Sequence, residues 1–199
     1  MTLVKICGLT SDKDVDCINR LHPDMVGFVF YRPSRRFVDA AKATELRSRL
    51  DPGIRAVGVF VDEDPLVIAD LVHKGIISAV QLHGFEDDEY IRGLRKLVDV
   101  PIIKAFVVRS QEDLEHARRS QADMVLLDSG KGSGKGFDWS LVGDLGRDYI
   151  LSGGLSPGNV SDAVARMHPF GVDVSSGVES DGVKDPAKVR DFITIARSS

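Results

Sequence analysis

The 199-residue chain has only two cysteines, Cys7 and Cys17. Two thiols are too few for a disulfide framework and their spacing matches no zinc motif, so both are expected as free thiols in a reducing compartment. No run reaches the roughly 18 apolar residues of a membrane span, and the start of the chain alternates apolar and polar residues without the flanks of a signal peptide. A formal net charge of -4 leaves no electrostatic footprint for nucleic acid or an anionic membrane surface. A small anionic ligand remains open, because local donors decide that. The chain also lacks a linker or low-complexity tract. These absences predict a cytoplasmic protein with neither membrane nor nucleic acid as partner, and they leave its oligomeric state open. With 43% hydrophobic residues it can bury a large core, and its length favours one domain spanning residues 1–199.

What is present is an alternation of short β-branched apolar runs with helical patterns. The predicted strands are Leu3 to Cys7, Met25 to Phe30, Ile54 to Val61, Ala79 to His83, Pro101 to Val107, Met124 to Asp128, Tyr149 to Ser152 and Gly171 to Val174. Helix starts are marked where Asp64-Pro65, Ser156-Pro157 and Asp185-Pro186 place an N-cap residue before proline. Ser11 with Asp14 and Ser110 with Asp113 have the spacing of capping boxes.

The last two strands end in turns suited to an anion. Gly171-Val172-Asp173-Val174 breaks into Ser175-Ser176-Gly177, where small residues let backbone N–H groups approach a phosphate and hydroxyls add donors. Ile150-Leu151-Ser152 likewise ends in Gly153-Gly154. Such turns after the seventh and eighth strands are what a (β/α)8 TIM barrel supplies. An open doubly wound sheet would carry its glycine fingerprint after the first strand, where Cys7-Gly8-Leu9-Thr10 offers one glycine. The expected class is therefore α/β, a lean single-domain barrel. At roughly 25 residues per unit against about 250 in total for a typical barrel, some helices must be short, notably one near Asp138-Trp139.

In that frame the polar residues gather at the mouth. The first strand ends in Lys5-Ile6-Cys7-Gly8, the second leads into Tyr31-Arg32-Pro33-Ser34-Arg35-Arg36, the fourth ends in Gln81-Leu82-His83-Gly84, and the sixth in Leu126-Leu127-Asp128-Ser129. The glycine-rich run Lys131 to Gly136 follows the sixth strand and reads as an active-site loop.

These segments, with Gly27-Phe28-Val29-Phe30, Gly134 through Phe137-Asp138-Trp139, Gly153-Gly154-Leu155 and Asp173 through Glu179, resemble the phosphoribosylanthranilate isomerases of tryptophan biosynthesis over essentially the whole chain. The resemblance implies an Amadori rearrangement of N-(5'-phosphoribosyl)anthranilate to a carboxyphenylamino-deoxyribulose phosphate. It implies Cys7 as general base, Asp128 as general acid and Arg36 facing the anthranilate carboxylate. Ser152, where alanine is common, and Ser129, where threonine is common, are conservative departures.

The chemistry fits the residue types. One acid must protonate the furanose ring oxygen, and one base must then remove the C2' proton; the sixth and first strands lie three apart around an eight-strand ring, so a sugar fits between them. The iminium serves as electron sink, so no metal and no cofactor is expected. Gly154, Ser175, Ser176 and Gly177 are the expected phosphate grip, and substitution at Gly177 is expected to cost affinity without unfolding the chain.

Plainer readings stand beside these. Cys7 could be a small core residue, Asp128 a turn cap and Arg36 one solvated charge among several. His83 reads equally as substrate contact or as a wall residue bonded to backbone, Asp173 as loop support, Trp139 as a core plug, and Lys5 as lining the mouth or pairing with a buried carboxylate. Among rival functions, a histidine-pathway isomerase would need a second phosphate turn after the third or fourth strand, and an epimerase would need paired carboxylates and metal-binding histidines. The chain has neither. A barrel that only binds a sugar phosphate is separable by turnover alone.

Overall fold

A computed structural model describes residues 1–128, 142 and 145–199. The elements in chain order are β1 (Leu3–Cys7), α1 (Asp12–Leu21), β2 (Met25–Val29), α2 (Ala40–Arg49), β3 (Arg55–Phe60), α3 (Pro65–His73), β4 (Ala79–Leu82), α4 (Asp88–Leu94), β5 (Ile102–Val107), α5 (Gln111–Arg119), β6 (Met124–Asp128), β7 (Tyr149–Ser152), α6 (Val160–Met167) and β8 (Gly171–Val174). A 3-10 turn (Ser176–Val178), a two-residue hairpin of β9 (Glu179–Ser180) and β10 (Val183–Lys184), and α7 (Pro186–Ser198) complete it. Strands β1 to β8 pair in parallel in chain order and close when β1 meets β8, with Lys5 opposite Asp173. This is the expected (β/α)8 barrel. Among the described residues, no helix is long and apolar enough to cross a membrane.

All eight expected strands form, four with the expected ends and four shortened by one residue at one or both ends. Phe30, for instance, leaves the ladder and stacks on Phe60 with ring centroids 5.0 Å apart. Both capping boxes close: the Ser11 and Ser110 side chains accept from the Asp14 and Asp113 N–H groups, and each aspartate reaches back to its serine N–H. Asp64 and Asp185 cap α3 and α7 ahead of their prolines. Ser156-Pro157 does not start a helix. A turn occupies residues 157–159 and α6 begins at Val160, because Asn159 turns its side chain back on the loop, its Oδ1 accepting from Ser156 N at 2.8 Å. The short helix expected near Asp138, the glycine-rich run from Lys131 to Gly136, Ser129 and Trp139 lie outside the described residues.

Strand alternation divides the side chains into two cores. Outward residues such as Val4, Ile6, Phe28, Phe60 and Val172 pack under the helices. Inward residues Met25, Val57, Ala79, Ile103, Leu126 and Ile150 form a separate apolar plug in the barrel. Toward the C-terminal end of the strands the interior turns polar, with Lys5, Gln81 and Asp173 all buried.

Candidate active site

Cys7 closes β1 on the inward face, packed with Val29 and Val59. Its register partner on β2 is Gly27, and a Cβ built there would come within 2.6 Å of the Cys7 sulfur. Glycine at 27 is thus the room the thiol occupies. The Gly27 carbonyl also accepts from Gly8 N and Leu9 N at 2.9 and 3.1 Å, which fixes the turn after the thiol. Burial pushes the Cys7 thiol above its ordinary pKa; Lys5 and Lys184 pull it back incompletely, with Asp173 opposing them. The sequence left Lys5 between two readings, and the barrel interior selects the second: its ammonium, fully buried, pairs with Asp173 at 2.9 Å. Asp173, buried at β8, also takes a 3.3 Å bond from the Ser152 hydroxyl at the end of β7. Burial alone would lower the Lys5 pKa, but Asp173 and Cys7 outweigh it and hold it above the usual lysine value.

Asp128 ends β6 on the opposite side, partly exposed. Its Oδ2 lies 3.4 Å from His83 Nε2. Because β4 and β6 are separated by β5, this contact runs across the interior. The His83 ring is held from its other side by Gln81, Nε2 to Nδ1 at 3.1 Å, so among the described residues the ring meets the side chains of Gln81 and Asp128. The rim beneath is cross-linked. Lys104 and Glu86 pair at 2.8 Å in a buried site, Lys104 donates to Gly84 O, and Glu86 accepts from Gly84 N and Asp62 N. A cavity of about 610 Å³ lined by residues of α4, β5 and α5 reaches this rim at His83 and Gly84.

The two glycine-serine turns meet. Gly153 and Gly154 both have positive φ, at 92° and 68°, conformations that favour glycine, and no atom lies within 4 Å of a Cβ placed on Gly154. Asn159 Nδ2 donates to Gly154 O and holds that turn. Ser175 leans the other way, its hydroxyl donating to Cys7 O at 3.0 Å. Ser176 is exposed at the start of the 3-10 turn, the short extra helix that completes phosphate sites in such barrels. Gly177 corrects an expectation. A Cβ there would stand 1.9 Å from the Leu155 carbonyl oxygen, so the residue is dictated by backbone packing between the two turns, and substitution threatens the fold as well as the ligand.

Arg36 does not stand alone. Its Nε and Nη2 grip both oxygens of Glu179 at 2.7 and 2.8 Å, and Gly8 opens the space its side chain crosses. Glu179 also accepts from Arg35 and from the buried Lys184, whose ammonium continues to Ser175 O at 3.0 Å. Burial would raise the Glu179 carboxyl, but Arg36 and Lys184 outweigh it and hold it below the usual glutamate range. Lys184 is drawn below its ordinary value by burial, which Glu179 only partly offsets. A continuous chain of ion pairs thus joins Arg36 to the serine turn. Sequence reasoning gave Glu179, Lys184, Gly27 and Asn159 no role. Glu179 was visible at the end of the serine motif, but nothing local pointed it at Arg36.

Cys7, Asp128, His83, Arg36 and the two turns therefore share one end of the barrel. A family model described as N-(5'phosphoribosyl)anthranilate (PRA) isomerase matches residues 4–195. An N-(5'-phosphoribosyl)anthranilate isomerase of Desulforudis audaxviator is 45% identical over 208 residues, covering 100% of each chain. The crystal structure of the phosphoribosyl anthranilate isomerase of Thermotoga maritima superposes with a TM-score of 0.91 at 40% identity, covering 100% of each chain. Another such structure, in complex with reduced 1-(o-carboxyphenylamino)-1-deoxyribulose 5-phosphate, gives 0.89 at 39% identity, again over 100% of both chains. Expected from the motifs, built by the barrel and matched over its whole length, the chain belongs to the N-(5'-phosphoribosyl)anthranilate isomerases of tryptophan biosynthesis.

Proposed function

We propose that Asp128 and Cys7 carry out the Amadori rearrangement as separate acid and base on a sugar lying between them. Asp128 donates a proton to the furanose ring oxygen, the C1'–O bond breaks, and the anthranilate nitrogen lone pair forms the iminium. The Cys7 thiolate then takes the C2' proton. The C–H electrons flow into the iminium to give an enolamine, which tautomerises to the ketose. His83 orients the Asp128 carboxyl from across the barrel. The phosphate sits on Gly154, Ser175, Ser176 and Gly177, and Arg36 meets the anthranilate carboxylate with the edge that Glu179 does not occupy. The reading takes the chain as one barrel domain working in the cytoplasm, with both thiols unpaired.

The observation that carries this reading is the placement of Cys7 and Asp128 at the same barrel end, three strands apart, beside the turns that follow β7 and β8. Since burial lifts the thiol, the base form grows with pH, and kcat/KM is expected to rise through the alkaline side of neutrality. Anthranilate-type fluorescence of freshly generated substrate should fall on adding the protein. No change, with binding still measurable, would leave a sugar-phosphate-binding barrel.

A further inference from the structure

The buried pair Lys5–Asp173 lies where an ion pair is hard to justify by stability. Two charges removed from water recover little against an apolar pair of similar volume, whereas removing one partner alone is costly. What it does adjoin is Cys7. Lys5 and Cys7 occupy alternate positions of β1, so both point inward, and Asp173 is the register partner of Lys5 on β8. The other neighbours of the thiol are apolar or small: Val29, Val59 and Gly27. Among the described residues, the other charged groups at this end are Lys184, bonded to Glu179 and Ser175 O; Arg35 and Arg36, both on Glu179; the Lys104–Glu86 pair; and His83 with Asp128 on the far side. Lys5, on the thiol's own strand and face with Asp173 as its carboxylate partner, is therefore the cation best placed to act on a second anion beside it, with Lys184 a weaker influence of the same sign.

We propose that Lys5 and Asp173 are positioning residues that set the charge of Cys7: the Lys5 ammonium stabilises the thiolate, and Asp173 restrains that effect by competing for the same ammonium. This deepens the reading of Cys7 as base and rests on it. When the thiolate takes the C2' proton an S–H bond forms, the negative charge leaves the sulfur, and Lys5 falls back on Asp173 alone. The ammonium thus has an anion partner before and after the step without moving. The directions of the thiol shift agree: after burial, Lys5 is the largest influence and lowers it, and Asp173 follows with the opposite sign.

The two halves of the pair must therefore act in opposite directions, which a merely structural pair would not do. The test is thiolate ultraviolet absorbance against pH on the full chain in a Cys17→Ser background, so that one thiol reports. Asp173→Asn should lower the Cys7 midpoint, because Lys5 then serves the sulfur alone. Lys5→Met strands a buried carboxylate and risks misfolding, so the double variant Lys5→Met/Asp173→Asn, neutral on both sides, carries the decision. It should raise the midpoint above the parent, move the rising limb of kcat/KM the same way, and cut kcat/KM at neutral pH by about tenfold. A midpoint in the double variant that stays put or falls overturns the proposal, as does movement of both variants in one direction. The outcome is separable from the base assignment: if Cys7→Ser kept full turnover, the base reading would fall while the midpoints still reported on Lys5.

Discussion

Gly27→Ala tests the site at its tightest contact. The added Cβ would stand 2.6 Å from the Cys7 sulfur, 3.2 Å from its Cα and 3.3 Å from its Cβ. Ordinary contact begins at 3.4 Å, so the sulfur must retreat by 3.4 − 2.6 = 0.8 Å or the strands must part. The sulfur is the movable atom, but it is walled by Val29 and Val59. Overpacking of this kind costs about 1–3 kcal/mol, or roughly 2–4 °C of Tm for each kcal/mol in a chain this long. A base displaced by about 1 Å costs on the order of 10²-fold in rate. Gly27→Ala should thus lower kcat by about 10²-fold with KM little changed, and lower Tm by several degrees. In a Cys7→Ala background the sulfur is gone, and the same substitution should cost much less stability, because the remaining contacts need to give by only 0.1–0.2 Å. Kinetics and thermal melts of the four proteins of this cycle supply the measurement. If Gly27→Ala kept kcat within about threefold of the parent, the thiol would not be held where the reaction needs it, and the reasoning from this contact would fail.

Asp128→Asn should lower kcat by about 10² to 10⁴ while KM moves little, the range for losing one general acid; steady-state kinetics with retained product binding is the check. Gly177→Ala should lower Tm at least as clearly as it weakens phosphate, because its Cβ meets the Leu155 carbonyl and not a flexible side chain; a full Tm with raised KM would restore the purely ligand-based reading. Glu179 has its carboxyl held below the ordinary range, so its contribution is present above the unfolded glutamate value of about 4.3 and is lost as pH falls through the lower folded value. The Tm difference between the parent and Glu179→Gln should therefore shrink as pH drops below about 4.3, and a difference flat across that window refutes the pairing. The same variant frees the Arg36 fork, so KM should rise for substrate and less for a decarboxylated analogue.

Much of this protein is written locally. Eight apolar runs of strand length, the capping boxes at Ser11 and Ser110 and the Asp-Pro starts at 64 and 185 each depend on neighbours within a few residues, and the chain builds all of them. Gly153 and Gly154 are legible for the same reason, since the positive φ they adopt is a property of the residue itself; Gly177 is not, because the Leu155 carbonyl packed against it sets its identity. Ser156-Pro157 shows where local signals stop, since Asn159 three residues on redirects the turn.

The partners of the site are another matter. Lys5 meets Asp173 across 168 residues, Arg36 meets Glu179 across 143, and Gly27 owes its identity to a sulfur on the neighbouring strand. His83 finds Asp128 only because the barrel brings β4 and β6 to face each other over β5. None of these pairings has a sequence period, because each joins side chains from separate strands or loops that only the folded barrel brings together. The sequence by itself determined the strands, the caps, the turns and the residue types that can move a proton. Closure decided which charges those residues face, and so which lysine reaches the thiol and which glutamate holds the arginine.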